Sequence, residues 1–266
     1  IPDFAFSLNR IIQSIFGRNK KVLALDLDNT LWGGVIGDDG QEGIEIGQET
    51  SMGQAYDELQ RYLKEQKKLG VLLTVCSKNE PENALLGLNH PNGVLKPDDF
   101  VCIQANWDSK DQNILKTAQT LNLLPESFVF VDDNPAERAI VSGQIAGIAV
   151  PEFDSVEECL MVLDRSGYFE VTTLSKDDAN RNEMYRANVQ RAQLQQSFAD
   201  YTEYLHSLDM HASITDFDPI SMQRIVQLTN KSNQFNLTTR RYTKSDMEAV
   251  AASPNHIRLC GRLRDK

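Results

Sequence analysis

Four short, almost wholly apolar runs recur along the chain, and each gives way to polar residues before a helical pattern begins. They are KVLALDLD (21–28), VLLTVCS (71–77), FVCIQA (100–105) and FVFVDD (128–133). Strands that are apolar on both faces must be covered on both faces, and strands separated by helices run parallel. The pattern therefore predicts an α/β fold of three layers, a doubly wound parallel sheet between helices. Strands are expected at 22–27, 71–76, 100–105 and 128–131, with a short fifth at 148–150. Helices are expected at 7–17 closed by Gly17, at 52–69 stopped by Gly70, from near Pro81, at 110–121, and after Asn134 as N-cap with Pro135 first.

In such a sheet, ligands bind beyond the carboxyl ends of the strands. That rule singles out Asp26 and Asp28 after the first strand, Ser77 after the second, and Asp132 and Asp133 after the fourth. Residues i and i+2 share one side of a strand, so Asp26 and Asp28 can converge. Taken alone, DLDNT reads equally as a strand ending in an Asx-type turn with solvated acids. With a second acidic pair on the neighbouring strand, up to four carboxylates crowd one point, which requires protonation or a cation. A hard divalent ion fits, and Mg²⁺ is expected because it accepts few protein carboxylates and keeps water and phosphate in its shell. One carboxylate is then left to attack an electrophile, the logic of an aspartyl-phosphate intermediate.

The stretch 32–49, WGGVIGDDGQEGIEIGQE, interrupts the alternation. Its glycines predict a small flap, with DDG turning a hairpin and Gly33, Gly34 and Gly37 acting as a hinge beside Trp32. No large cap is expected. After about residue 170 a polar helix at 176–208 is predicted, then a strand (210–214), a helix (219–230), the loop KSNQFNLTTRRYT, a helix (244–252) and a strand (256–263). The expected division is a lead-in over 1–20, a main domain over 21–170, a helical linker over 171–209 and a second, partial α/β domain over 210–266.

The net charge of −11 argues against a nucleic-acid or anionic-membrane partner, and no apolar run reaches spanning length. The N-terminal IPDFAF has no basic leader, so no signal peptide is expected, and both ends of the chain read as those of a fragment. Four cysteines without a CxxC pair (Cys76, Cys102, Cys159, Cys260) indicate neither zinc nor a disulfide framework, and a cytoplasmic location is expected.

The motifs carry a resemblance. DLDNTLWGG resembles the first motif, DxDxT, of the haloacid dehalogenase (HAD) superfamily. TVCSKN resembles the second, Lys110 in NWDSKDQN matches the third-motif lysine, and FVFVDDNPAER resembles the acidic fourth. Together with LTNKSNQFNLTTRRYT, these stretches resemble the FkbH-like family, whose HAD domain is commonly followed by an acetyltransferase-like (GNAT) region; residues 210–266 look like its beginning.

The resemblance implies a Mg²⁺-dependent phosphatase or phosphotransferase acting on a phosphorylated small molecule or acyl phosphate. In its more specific form, the enzyme consumes a bisphosphoglycerate and loads an acyl carrier protein. It implies Asp26 as nucleophile and metal ligand, and Asp28 as general acid and base with its backbone carbonyl on the metal. Ser77 would bind phosphoryl oxygens, Lys110 would offset charge, and Asp132 and Asp133 would complete the metal site. Asn29 and Thr30 are candidates for the phosphate side, their side chains otherwise shaping the turn. Asn79 is expected to cap the following helix, with contact to substrate as the alternative. Cys76, at the mouth of the site, is either an inert buried thiol or a thioester carrier. Arg240 and Arg241 are solvated, interdomain, or a dock for an acidic carrier. A non-catalytic binding module is the third alternative, disfavoured by the intact motif set.

Overall fold

The computed structural model describes residues 2–15, 19–170, 180–231, 238 and 240–265. These fall into two compact units, Ile1–Gln193 and Leu194–Lys266. The predicted Gly17 cap, the start of the helix expected at 176, and residues 232–237 of the KSNQFNLTTRRYT loop lie outside the described residues.

The first unit is built on four parallel strands: β1 (Val22–Leu25), β2 (Leu72–Ser77), β3 (Phe100–Ala105) and β4 (Phe128–Val131). Their order is β3-β2-β1-β4, so the chain winds outward on one side of β1 and then returns to its other edge. Leu25 is in register with Val75 on one side and Val131 on the other. The switch between β1 and β4 leaves a crevice at their carboxyl ends, where this class of sheet binds ligands.

Strand alternation sorts the aliphatic side chains into two cores. Leu23, Leu25, Leu73, Val75, Val129 and Val131 face one side, with Leu59 and Leu63 of α3 (Ser51–Lys68), Leu88 of α4 (Pro81–Leu88) and Leu163 of α7 (Val156–Ser166). Val22, Ala24, Leu72, Phe128 and Phe130 face the other, with Ile114 of α5 (Lys110–Thr120) and Val141 of α6 (Pro135–Gln144). These are the three layers expected of strands without a polar face. A further helix, α1 (Pro2–Ile15), precedes β1.

Local signals explain the helix starts. Thr50 accepts a hydrogen bond from Gly53 N at the head of α3, and Asn134 accepts one from Ala136 N ahead of Pro135. The fifth strand expected at 148–150 is reduced to one parallel bridge, in which Phe130 N donates to Ala149 O and Ala149 N to Phe128 O. Pro151, which has no N–H to offer, ends the pairing there.

The expected flap hairpin does not form. DDG lies inside a short helix, α2 (Ile36–Gly43), where Asp38 and Asp39 occupy the first turn and suit the positive end of its dipole. Asp39 Oδ2 also accepts from Val35 N at 2.8 Å, and Gly40, at φ 68°, breaks the helix. Only Gly33 and Glu45 pair antiparallel, through bonds of 3.0 and 2.8 Å. Trp32 is part of the core. It is 1% exposed, with its ring over α4, where a Cβ at Gly87 would come within 2.6 Å of the indole.

The single polar helix expected over 176–208 is two among the described residues, Arg181–Gln196 and Tyr201–Ser207, the second capped by Asp200. Tyr185 and Val189 of the former pack on the second core, and Asn182 Nδ2 bonds the carbonyls of Lys67 and Val71. The second unit pairs β5 (His211–Thr215) antiparallel with β6 (Cys260–Arg264). Its helices Met222–Lys231 and Lys244–Ala252 share a small core of Met222, Ile225 and Met247. No helix among the described residues is long and apolar enough to cross a membrane, and the four cysteines are free thiols.

A buried glutamine ties the loops above α3 together. Gln60 Nε2 donates to Leu31 O at 2.7 Å, while its Oε1 accepts from Val94 N and Leu95 N at 2.9 and 2.8 Å. Gln60→Leu removes the partner of three backbone groups, two of them buried and one half-buried, each buried one worth roughly 1–3 kcal/mol. Urea unfolding should show a loss of about 3 kcal/mol or more.

Candidate active site

Asp26 is the first residue past β1, and its N–H still bonds to Val131 O at 3.0 Å. The sheet order therefore sets it beside Asp132 and Asp133, the first residues past β4. Carboxylate oxygens of Asp26, Asp132 and Asp133 all lie within 4.8 Å of one another. Asp26 is 7% exposed and Asp132 fully buried.

Among the described residues, one cation is ion-paired with this cluster. Lys110 opens α5 after β3, and its Nζ lies 2.9 Å from Asp26 Oδ2 and 2.5 Å from Asp132 Oδ2. A lysine at a helix N-terminus opposes the macrodipole, and this one is 3% exposed as well. Burial works against its charge, yet Asp26 and Asp132 outweigh burial and hold the ammonium above its usual range. The carboxylates are not fully compensated in return. Asp132 is pushed up to about 6, first by burial and then by Asp26. Asp133 is raised for the same two reasons. Three converging acids against one ammonium is a donor set that fits a hard divalent ion.

Loop contacts fix these groups in place. Thr30 Oγ1 accepts from Asp133 N at 3.1 Å and donates to Asp133 Oδ1 at 3.4 Å, which pins the turn after β1 to the end of β4. Asn29 is left-handed at φ 55°; its Oδ1 accepts from Gly34 N at 3.0 Å and its carbonyl accepts from Tyr56 Oη at 3.2 Å. Both side chains are thus engaged in shaping the turn. Ser77 closes β2, and its hydroxyl has no hydrogen-bond partner among the described residues.

The Asp28 carboxylate stands apart from the converging three. Its Oδ1 accepts from Trp32 Nε1 at 2.9 Å and Ile36 N at 3.0 Å, and its Oδ2 accepts from Asn79 Nδ2 at 2.9 Å. Burial raises its pKa, and the repulsion of Asp26 adds to this against those hydrogen bonds. Asn79 is therefore no helix cap. Glu80 holds the N-cap position of α4, and the Asn79 amide is turned to Asp28 instead. Cys76 belongs to the core on the α5 side of the sheet, where burial pushes its thiol up, so it is an inert small side chain.

Two contributors have roles other than those their sequence context suggests. Asn79 is one, since a cap and an acid-binding amide look alike in sequence. Arg138 is the other. It is 4% exposed, and its Nη1 donates to the carbonyls of both Asp132 and Asp133, at 2.8 and 2.9 Å. Its guanidinium also stacks over Phe153 at 5.0 Å. The only sequence signal for it is helical spacing, three residues before the inward-facing Val141.

No protein-family model matches the chain, and no curated protein matches it. Among solved structures, the chain is similar to the N-terminal part of protein BF1531 from Bacteroides fragilis, described as containing a phosphatase domain and complexed with Mg. The two share 42% identity with a TM-score of 0.61, over 62% of this chain and 45% of that one, so the match spans less than half of that protein.

Removing the lysine tests the electrostatics of the site. Lys110→Met strands buried carboxylates and should cost about 3 kcal/mol near neutral pH without divalent ions. Carboxyls with folded pKa values raised above their unfolded ones bind more protons in the native state, so acidification favours folding. The difference from wild type should therefore shrink toward pH ~5 in thermal or urea unfolding.

Proposed function

We propose that this chain carries a Mg²⁺-dependent phosphatase or phosphotransferase that works through a phosphorylated Asp26. The convergence of Asp26, Asp132 and Asp133 on one buried lysine is the observation that carries this reading. The similarity to a Mg-bound phosphatase domain and the order of the four HAD-like motifs support it.

Asp26, Asp132 and Asp133, with the Asp28 carbonyl, would hold a divalent ion, which would supply charge neutralisation for the phosphoryl oxygens. Ser77, its hydroxyl without a hydrogen-bond partner among the described residues, hydrogen-bonds one of those oxygens, and the Lys110 ammonium offsets the charge that builds on them. An Asp26 oxygen attacks phosphorus while the bond to the leaving oxygen breaks. Asp28 gives its proton to that oxygen. Asp28, now a carboxylate, takes a proton from a water whose oxygen attacks the phosphoaspartate, releasing phosphate and restoring Asp26. Asn29 and Thr30 act by holding the turn that carries both acids.

The finer reading rests on the FkbH-like wording of the motifs. It takes an acyl phosphate of the bisphosphoglycerate type as substrate and an acyl carrier protein as acceptor of the glyceryl group. It also assigns residues 210–266 to a GNAT-like region. The short α2 segment, in place of a large cap, favours a substrate presented on a protein.

The test is phosphate release from acetyl phosphate or an aryl phosphate. Activity should require Mg²⁺, vanish in EDTA, and fall by a factor on the order of 10³ or more in Asp26→Asn. Unchanged turnover in that variant would remove Asp26 from the role of nucleophile. The finer reading predicts a glyceryl adduct on a carrier protein by intact mass after incubation with bisphosphoglycerate.

A further inference from the structure

Proton transfer needs the donor's heavy atom within about 3 Å of its target and correctly turned. The terminal torsion of an aspartate is broad, so the plane of a carboxyl is set by its partners rather than by its rotamer. At Asp28 those partners come from two sides and are all uncharged. Trp32 Nε1 and Ile36 N hold Oδ1, and Asn79 Nδ2 alone holds Oδ2.

Each side is rigidly supported. The Trp32 ring is seated against α4 at Gly87, where a Cβ would fall 2.6 and 2.7 Å from two atoms of the ring. Asn79 is 5% exposed and lies between the buried Ser77 and the first turn of α4, which begins at Pro81. Among the described residues, none of these groups is hydrogen-bonded to the converging acids or to Lys110. A buried amide spent on this one carboxyl, where a helix cap would have been the ordinary use, needs a reason in the chemistry of Asp28.

We propose that Asn79 is a positioning residue, which fixes the plane of the Asp28 carboxyl from the Oδ2 side and so aims it at the leaving oxygen, opposite the Trp32–Gly87 support. This rests on Asp28 acting as the acid in the reading above. Asn79 does its work through Asp28 and contributes in proportion to how much the leaving group needs a proton.

That dependence separates positioning from a structural role. Acetyl phosphate loses a weakly basic carboxylate and needs little protonation, whereas phenyl phosphate loses a strongly basic phenoxide. The full chain, its Asn79→Leu and Asn79→Ala variants, and Gly87→Ala are assayed on both compounds in Mg²⁺. The loss of kcat/KM, which reports phosphorylation of Asp26 and not the later hydrolysis that both substrates share, should in each variant be about tenfold or more greater on phenyl phosphate than on acetyl phosphate, within the range general acids contribute. Gly87→Ala reaches the same carboxyl by displacing the Trp32 ring and should show the same imbalance. Equal losses on the two substrates would overturn the proposal, as would equal activity to wild type. Failure of both Asn79 variants to fold would assign the residue to stability and also overturn it. A wild-type chain inactive on both compounds would instead sink the phosphatase reading itself, a result distinct from either.

Discussion

Everything at this site depends on one buried ammonium shared by two carboxylates from different strands. Lys110 meets Asp26 and Asp132 in a place where a lysine is doubly disfavoured, by burial and by the positive end of α5. The contact persists because the alternative, buried like charges without a counter-ion, costs more. It also joins the two halves of the winding, since Asp26 follows β1, Asp132 follows β4 and Lys110 follows β3. The compensation is incomplete, and the raised Asp132 and Asp133 leave a residual demand for positive charge.

Around that centre the molecule divides its tasks between sheet and helices. Strand ends supply the groups that carry charge, placed by a register that hydrogen bonding leaves little freedom to change. Neutral groups from α2 and from the residues that precede α2 and α4 hold Asp28. Thr30 and Arg138 fasten the joints. The first links the two acid-bearing turns, and the second grips the carbonyls of the Asp132–Asp133 step from below. Rigid support of this kind holds reacting groups to the fraction of an ångström that orientation requires.

Much of this was legible because its causes are local. Strands β3 and β4 match their expected bounds, since buried parallel strands are continuous apolar runs with sharp ends. The N-cap at Asn134 and the stop at Gly70, which adopts φ 88°, follow from side-chain and backbone preferences of single residues. The convergence of Asp26 with Asp132 followed from strand order. What escaped depended on contacts remote in sequence. The DDG of the flap read as a hairpin turn, yet it lies in α2, whose first residue, Ile36, is buried in the same core as Trp32. Asn79 lies fifty-one positions from Asp28, and nothing near it announces that partner. Arg138 looks like any charge on a solvent-facing helix until Asp132 and Asp133 turn their carbonyls toward it.

The position of β1 between β2 and β4 has a consequence for how such a chain is made. During synthesis β1 can pair with β2 once residue 77 has emerged, but its other edge stays open until β4 appears more than fifty residues later. For that interval the nascent chain presents a fully aliphatic strand, the kind of edge that recruits foreign strands. Asp26 and Asp28 stand at its end throughout, still without Asp132 beside them. The same acids that crowd the finished crevice also put charge at the end of that open strand, and charge at such an edge disfavours pairing with foreign strands.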